Sequence, residues 1–185
     1  RLEAAKARVA RTGKKRQGVI WGKDPKHFMG KEALLKALAD EVELHATVSG
    51  KPVKHPSIVY HGHLTPEGWQ SLLAESRFMI GLGNPLVGPS AVDAVVAGCM
   101  YINPKYSAPV KEVYHSQHPY LAEQVGEPYV CTANLNDVAA VKACVHQALS
   151  ADLPPMIPRE LTEAEYSSRV EAIFEGHLSH GRRLG

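Results

Sequence analysis

No apolar run in this 185-residue chain approaches the roughly 18 residues that a membrane-spanning helix needs. Cysteine is scarce. Cys99, Cys131 and Cys144 show no C-x-x-C spacing, which leaves either small buried hydrophobes or one disulfide with a spare thiol. Aromatics make up only 6% of residues and no Arg/Lys stripe interleaves with them, which argues against a nucleic-acid reader. H-E-x-x-H and G-x-S-x-G are absent, so neither a zinc-hydrolase helix nor a serine nucleophile elbow is present. The dinucleotide fingerprint G-x-G-x-x-G and the P-loop G-x-x-x-x-G-K-[ST] are missing too, as are internal repeats. With 44% apolar and 22% charged residues, the composition is that of a globular domain rather than a disordered segment.

The net charge of +2 hides an asymmetry. Residues 1–17 carry seven basic residues and one acid, whereas the rest holds 14 basic and 18 acidic residues. The basic stretch reads as a solvated helical extension or linker, and residues 18–180 as one domain. Because the chain opens on Arg and carries no signal peptide, it is expected to be a piece of something longer.

Short apolar runs alternate with amphipathic segments. Strands are expected at 17–22, 42–48, 57–64, 77–83, 99–103 and 129–132, about six in all. Helices fall between them: "KEALLKAL", a helix capped by Thr65 with Pro66 at its first position, one from Ser90 to Ala97, and one over 136–148. A last helix opens on a Thr162/Glu165 capping box and presents Tyr166, Val170, Ile173 and Phe174 on one face. This alternation indicates an α/β fold with a doubly wound parallel sheet and helices on both faces. The stretch 104–128 is a long loop for such a fold.

Glycine is concentrated where chemistry is expected, in "GLGNPLVGPSAVDAVVAG" (81–98). This turn leaves the carboxyl end of a strand and opens a helix near Ser90, where backbone N–H groups and the helix dipole favour an anion. Gly83, Asn84, Gly88, Pro89 and Ser90 are therefore candidate phosphate contacts, with a tight packing turn as the alternative. Asp93, in an otherwise apolar helix, can accept hydrogen bonds from the two hydroxyls of a ribose; otherwise it is an acid complementing the helix dipole. Lys105 could reach a diphosphate, and "HSQHP" (115–119) adds a polar cluster. His61 and His63, alternating in a strand, are read as lining a cleft or bonded to backbone rather than as zinc ligands, and His45 as a packed, hydrogen-bonded histidine.

"VIWGK", "VELHATVSG", "GLGNPLVGPSAVDAVVAGCMYINPKY" and "SQHPY", in this order, resemble the C-terminal part of the alpha-1,6-mannosylglycoprotein 6-beta-N-acetylglucosaminyltransferase family. The resemblance runs from about Val19 to Phe174 and leaves the basic tail outside. It implies a Rossmann-like domain, the C-terminal, donor-binding half of a GT-B glycosyltransferase. The implied reaction is inverting, metal-independent transfer of GlcNAc from UDP-GlcNAc to a mannose of N-glycans; the absence of any D-x-D agrees with the missing metal. It further implies a Golgi lumenal domain with its membrane anchor upstream, and an N-terminal domain of the same protein as partner. The catalytic base lies on that other domain, so no catalytic residue is assigned here. The family's helix acid falls on Asp93, its lysine on Lys105, and its "SQHPY" on Ser116–Tyr120, which places Ser116, Gln117 and His118 beside the donor. The family's Glu is Asp93 here, and its "FPYEGP" is "NPLVGP", so that Asn84 cannot stack and Val87 supplies no carboxylate. Two alternatives stay open: a non-catalytic nucleotide-binding module, or a GT-B enzyme using another nucleotide sugar, such as an epimerase.

Overall fold

A computed structural model describes residues 2–181, and side chains through Phe174. Seven strands form one sheet: β1 (Gln17–Trp21), β2 (Glu43–Ala46), β3 (Ile58–Tyr60), β4 (Phe78–Gly81), β5 (Met100–Val110), β6 (Tyr114–Ser116) and β7 (Val130–Asn134). Parallel pairing runs β3-β2-β1-β4-β5, with β7 parallel to β5 on its other side, so the parallel part has the doubly wound order expected. The chain reverses winding direction between β1 and β4, and the carboxyl ends of those two strands flank the natural ligand crevice.

Alternation along the central strands splits the core into two layers. Ile20, Phe78, Ile80, Met100 and Ile102 pack with helices α2 (Glu32–Ala39) and α5 (Val138–Ser150). Val19, Trp21, Met79 and Tyr101 point the other way, against α3 (Pro66–Glu75) and α4 (Pro89–Val96). Helix α3 starts at its expected cap, and α5 starts at Val138, two residues later than the expected 136. Thr65 Oγ1 accepts from Gly68 N at 3.1 Å and Asp137 Oδ1 from Ala140 N at 3.0 Å. Cys131 on β7 and Cys144 on α5 form a disulfide across one layer, and Cys99 is a buried free thiol.

Four expectations are corrected. The stretch 104–128 is not a loop: β5 continues to Val110 and turns back through Lys111 and Glu112, both at positive φ, into the antiparallel β6, and a short helical turn covers Leu121–Val125. The third strand stops at Tyr60, because Gly62 (φ +64) bends the chain, so His61 and His63 do not share a strand face. On α6 (Glu163–Gly181) the stripe is left uncovered at Tyr166, Ile173 and Phe174, all exposed. Only half of its capping box forms: Thr162 Oγ1 accepts from Glu165 N at 3.4 Å, while the Glu165 carboxylate pairs with Arg159 Nε at 2.7 Å.

The basic extension is helical as expected, α1 (Leu2–Thr12), with no residue buried within the helix. It is nonetheless tied to the domain. Arg8 donates to Gln70 on α3 at 2.8 Å, and the Lys14 amine is inserted between helix ends, 2.8 Å from Ser76 O and 2.7 Å from Ala97 O.

Candidate nucleotide crevice

The crevice lies where the topology puts it, at the switch point. Trp21 and Lys23 come from the end of β1 and Thr47 from the end of β2. His63 and Trp69 come from the β3–α3 connection and from α3, and Pro89, Ser90 and Asp93 from the start of α4. Its volume is about 420 Å³, and helices α3 and α4 both begin on its wall, each with proline at its first position. Two helix N-termini and the Lys23 ammonium give this wall a positive potential that suits an anion.

The glycine turn itself is built differently from the expectation. The amides of Gly83 and Val87 are not bare: Gly83 N donates to Gln117 Oε1 and Val87 N to Gln117 O, both at 2.9 Å. Gln117 Nε2 in turn donates to Pro85 O at 2.9 Å, and Tyr106 Oη donates to Gly83 O at 2.8 Å. One fully buried glutamine thus satisfies the turn from inside. The glycines follow from this packing. A Cβ on Gly81 would stand 2.1 Å from Gln117 Oε1, and one on Gly88 would stand 2.6 Å from the Trp21 indole. The amides left for an anion are therefore those at the helix start. Among the described residues, Gly88 N and Ser90 N have no protein acceptor.

The candidate residues divide into three groups. Pro89, Ser90 and Asp93 line the crevice, and Gly88 lies beneath it against Trp21. Gly83, Asn84 and the exposed Lys105 line a separate cleft of about 390 Å³ on the other flank of the turn, with Lys31, Tyr106 and Asn134. Ser116, Gln117 and His118 are buried and line neither cavity. Their work is structural: Ser116 pairs with Lys105 across the β5–β6 ladder, and Gln117 holds the turn. The His118 backbone N–H donates to Asn103 Oδ1 at 2.9 Å, and its Nδ1 accepts from Leu121 N at 3.3 Å. Burial pushes the His118 imidazole down to about 4, so it stays neutral and Nδ1 remains an acceptor.

Sequence reading missed Lys23 and Thr47 and read Trp69 only as core. Lys23 and Thr47 each stand directly beyond a central parallel strand, and that position was the available signal. The histidines fared as expected in part. His45 is buried and bonded on both ring nitrogens, to His61 Nε2 and to Glu43 Oε1, each at 2.8 Å; His63 lines the crevice. The His61 imidazole bonds to the His45 ring, while its backbone N–H donates to Ala46 O at 2.9 Å.

The model of glycosyltransferase family 18 matches residues 2–177. The chain belongs to that family. The match takes in the basic tail, which the resemblance from motifs had left outside. The alpha-1,6-mannosylglycoprotein 6-beta-N-acetylglucosaminyltransferase A of Cricetulus griseus is 33% identical over 183 residues, covering 90% of this chain and 25% of the relative. The corresponding enzyme B of Homo sapiens is 28% identical over 94% of this chain and 24% of its own length, and the Caenorhabditis elegans enzyme is 27% identical over 85% and 26%. This family-18 chain thus spans about a quarter of the length of these relatives. Among solved structures, the UDP-GlcNAc 2-epimerase of Methanocaldococcus jannaschii superposes with a TM-score of 0.51 at 9% identity, over 94% of this chain and 49% of the epimerase. That likeness establishes the fold: the chain has the Rossmann-like architecture of one half of a GT-B protein.

Proposed function

We propose that this chain is the donor-binding part of an inverting, metal-independent N-acetylglucosaminyltransferase that moves GlcNAc from UDP-GlcNAc to a mannose of N-glycans, forming a beta-1,6 branch. The observation that carries the reading is the crevice. A helix start with an open amide at Ser90, an acid one turn on at Asp93, and the Lys23 ammonium line one cavity at the switch point of a family-18 sheet, with the Gly88 amide beneath them. The pyrophosphate lies against the start of α4 and Lys23, and Asp93 faces the ribose hydroxyls. Lys105 approaches from the neighbouring cleft, on the side where the sugar leaves.

In the transfer, the bond from the sugar's anomeric carbon to the phosphate oxygen breaks as the acceptor hydroxyl oxygen bonds to that carbon from the opposite side. The hydroxyl proton goes to a base on the N-terminal domain of the full-length protein. This chain's part is electrostatic. Fixed amides and an ammonium stabilise the charge growing on the departing UDP, the work a cation does in metal-dependent transferases. We place the intact protein in the Golgi lumen with its anchor upstream; among the described residues no helix is long and apolar enough to cross a membrane.

Calorimetric titration with UDP, UDP-GlcNAc, GDP and NAD tests the reading. Micromolar, uridine-selective binding that falls at least tenfold in Asp93→Ala and in Lys23→Ala supports it, and EDTA leaves the affinity unchanged. Equal indifference to all four ligands contradicts it. A nucleotide-binding module without turnover is the second reading, favoured by Val87 standing where the family has a carboxylate. It predicts the same UDP affinity but no transfer once the full-length protein is assayed.

A further inference from the structure

We propose that Trp69 is the nucleobase platform of the crevice, with Thr47 and His63 reading the edge of the base. This rests on the donor reading above and extends it to a part of the ligand that neither the motifs nor the family match addresses. Strand order sets the axis of the cavity. Ser90 and Asp93 follow β4, Trp21 and Lys23 follow β1, Thr47 follows β2, and His63 follows β3. With the phosphates at the β4 side and the ribose on Asp93, the crevice carries the base towards the β2–β3 side. There the wall changes character. Leu64, Pro66 and Trp69 provide apolar surface; the Thr47 hydroxyl and His63 imidazole are polar groups there, and the Thr65 hydroxyl is taken up by the Gly68 N–H.

Trp69 sits in the first turn of α3, its backbone N–H donating to Thr65 O at 2.9 Å, which fixes where the indole emerges. The side chain is half-buried against the α3–α4 layer, and among the described residues no aromatic ring packs on it. A flat, anchored, unstacked indole in a ligand-sized cavity is what a base requires. A uracil edge presents two carbonyl acceptors around one N–H donor. A hydroxyl, which donates and accepts, and an imidazole ring N–H, which donates, can meet that N–H and those carbonyls.

The test uses UDP, UMP and inorganic pyrophosphate as probes on the whole chain and on Trp69→Ala and Trp69→Phe. Base–aromatic stacking is worth about 1–3 kcal/mol, so Trp69→Ala should bind UDP and UMP about tenfold more weakly while its pyrophosphate affinity stays at the parent value. Trp69→Phe, which keeps an aromatic face, should recover to within about threefold. The chain has two tryptophans, so UDP-induced quenching that disappears in Trp69→Phe places the base on Trp69. Unchanged UDP binding in Trp69→Ala overturns the inference and leaves the donor reading standing. Parallel loss of pyrophosphate binding also overturns it, by showing that the residue acts through the fold. If the parent chain binds pyrophosphate but not UDP, the donor reading itself fails.

Discussion

Replacing Lys14 with Met tests whether the N-terminal segment is part of the domain. The Lys14 amine donates to Leu73 O at 3.2 Å, Ser76 O at 2.8 Å and Ala97 O at 2.7 Å. These carbonyls belong to the last turn and cap of α3 and to the cap of α4, the same two helices whose first turns wall the crevice. Helix-terminal carbonyls have no partner within the helix, and a cation there also meets the negative end of the dipole. Hydrogen bonds to a charged group contribute about 1.5–3 kcal/mol each, but burying the ammonium opposes them. Burial lowers the Lys14 pKa from its ordinary 10.5. Methionine keeps the apolar stem and leaves Ala97 O unmet, while Leu73 O and Ser76 O keep the Cys99 thiol at 3.0 and 3.1 Å, so the net loss should be about 2 kcal/mol, or roughly 4–8 °C in the melting midpoint of a domain this size. Urea unfolding followed by circular dichroism measures it. The pH dependence has a definite sign. Because the folded pKa is depressed, the contribution of this group is complete above 10.5 and is lost as pH falls through the folded value. The gap between parent and Lys14→Met should therefore widen as pH rises towards 10.5. A variant melting within a degree of the parent would refute the reasoning, by showing that water serves those carbonyls equally well.

Three further outcomes follow from the same geometry. His118 has a folded pKa of about 4 against an ordinary 6.5, so its contribution is present above 6.5 and is lost as pH falls through 4. Urea midpoints measured between those values should decline by the equivalent of about 3 kcal/mol, and much less in His118→Asn. Reducing the Cys131–Cys144 disulfide, 13 residues apart in sequence, should lower unfolding free energy by about 3 kcal/mol, read from denaturation with and without dithiothreitol. Val87 sits at φ 50, a left-handed conformation costly for a β-branched side chain; Val87→Gly should gain up to about 1 kcal/mol in thermal melts without weakening UDP binding.

The parallel sheet was legible because its evidence is local: buried strands with short apolar runs, amphipathic helices, and a cap such as Thr65. The path from Pro104 to Pro128 was not, because prolines and turn residues masked an edge hairpin that leaves the sheet. The glycine turn was legible as a place but not as a mechanism. Its amides are satisfied by Gln117, 34 positions beyond Gly83, and no local pattern reveals so distant a partner. Asp93 and Ser90 were singled out because an acid and a helix start stand out in an apolar segment, and both line the crevice. Lys105 was assigned by position along the chain, and the fold carries it to the opposite flank of the turn from them.

A residue-resolved titration with UDP, following backbone amide signals by NMR, tests the crevice most directly. The account predicts saturable shifts at Gly88, Ser90, Lys23, Thr47 and His63, with Lys31 and Asn134 of the neighbouring cleft far less affected. Shifts confined to the Lys31–Lys105 cleft, or none at millimolar UDP, would contradict it.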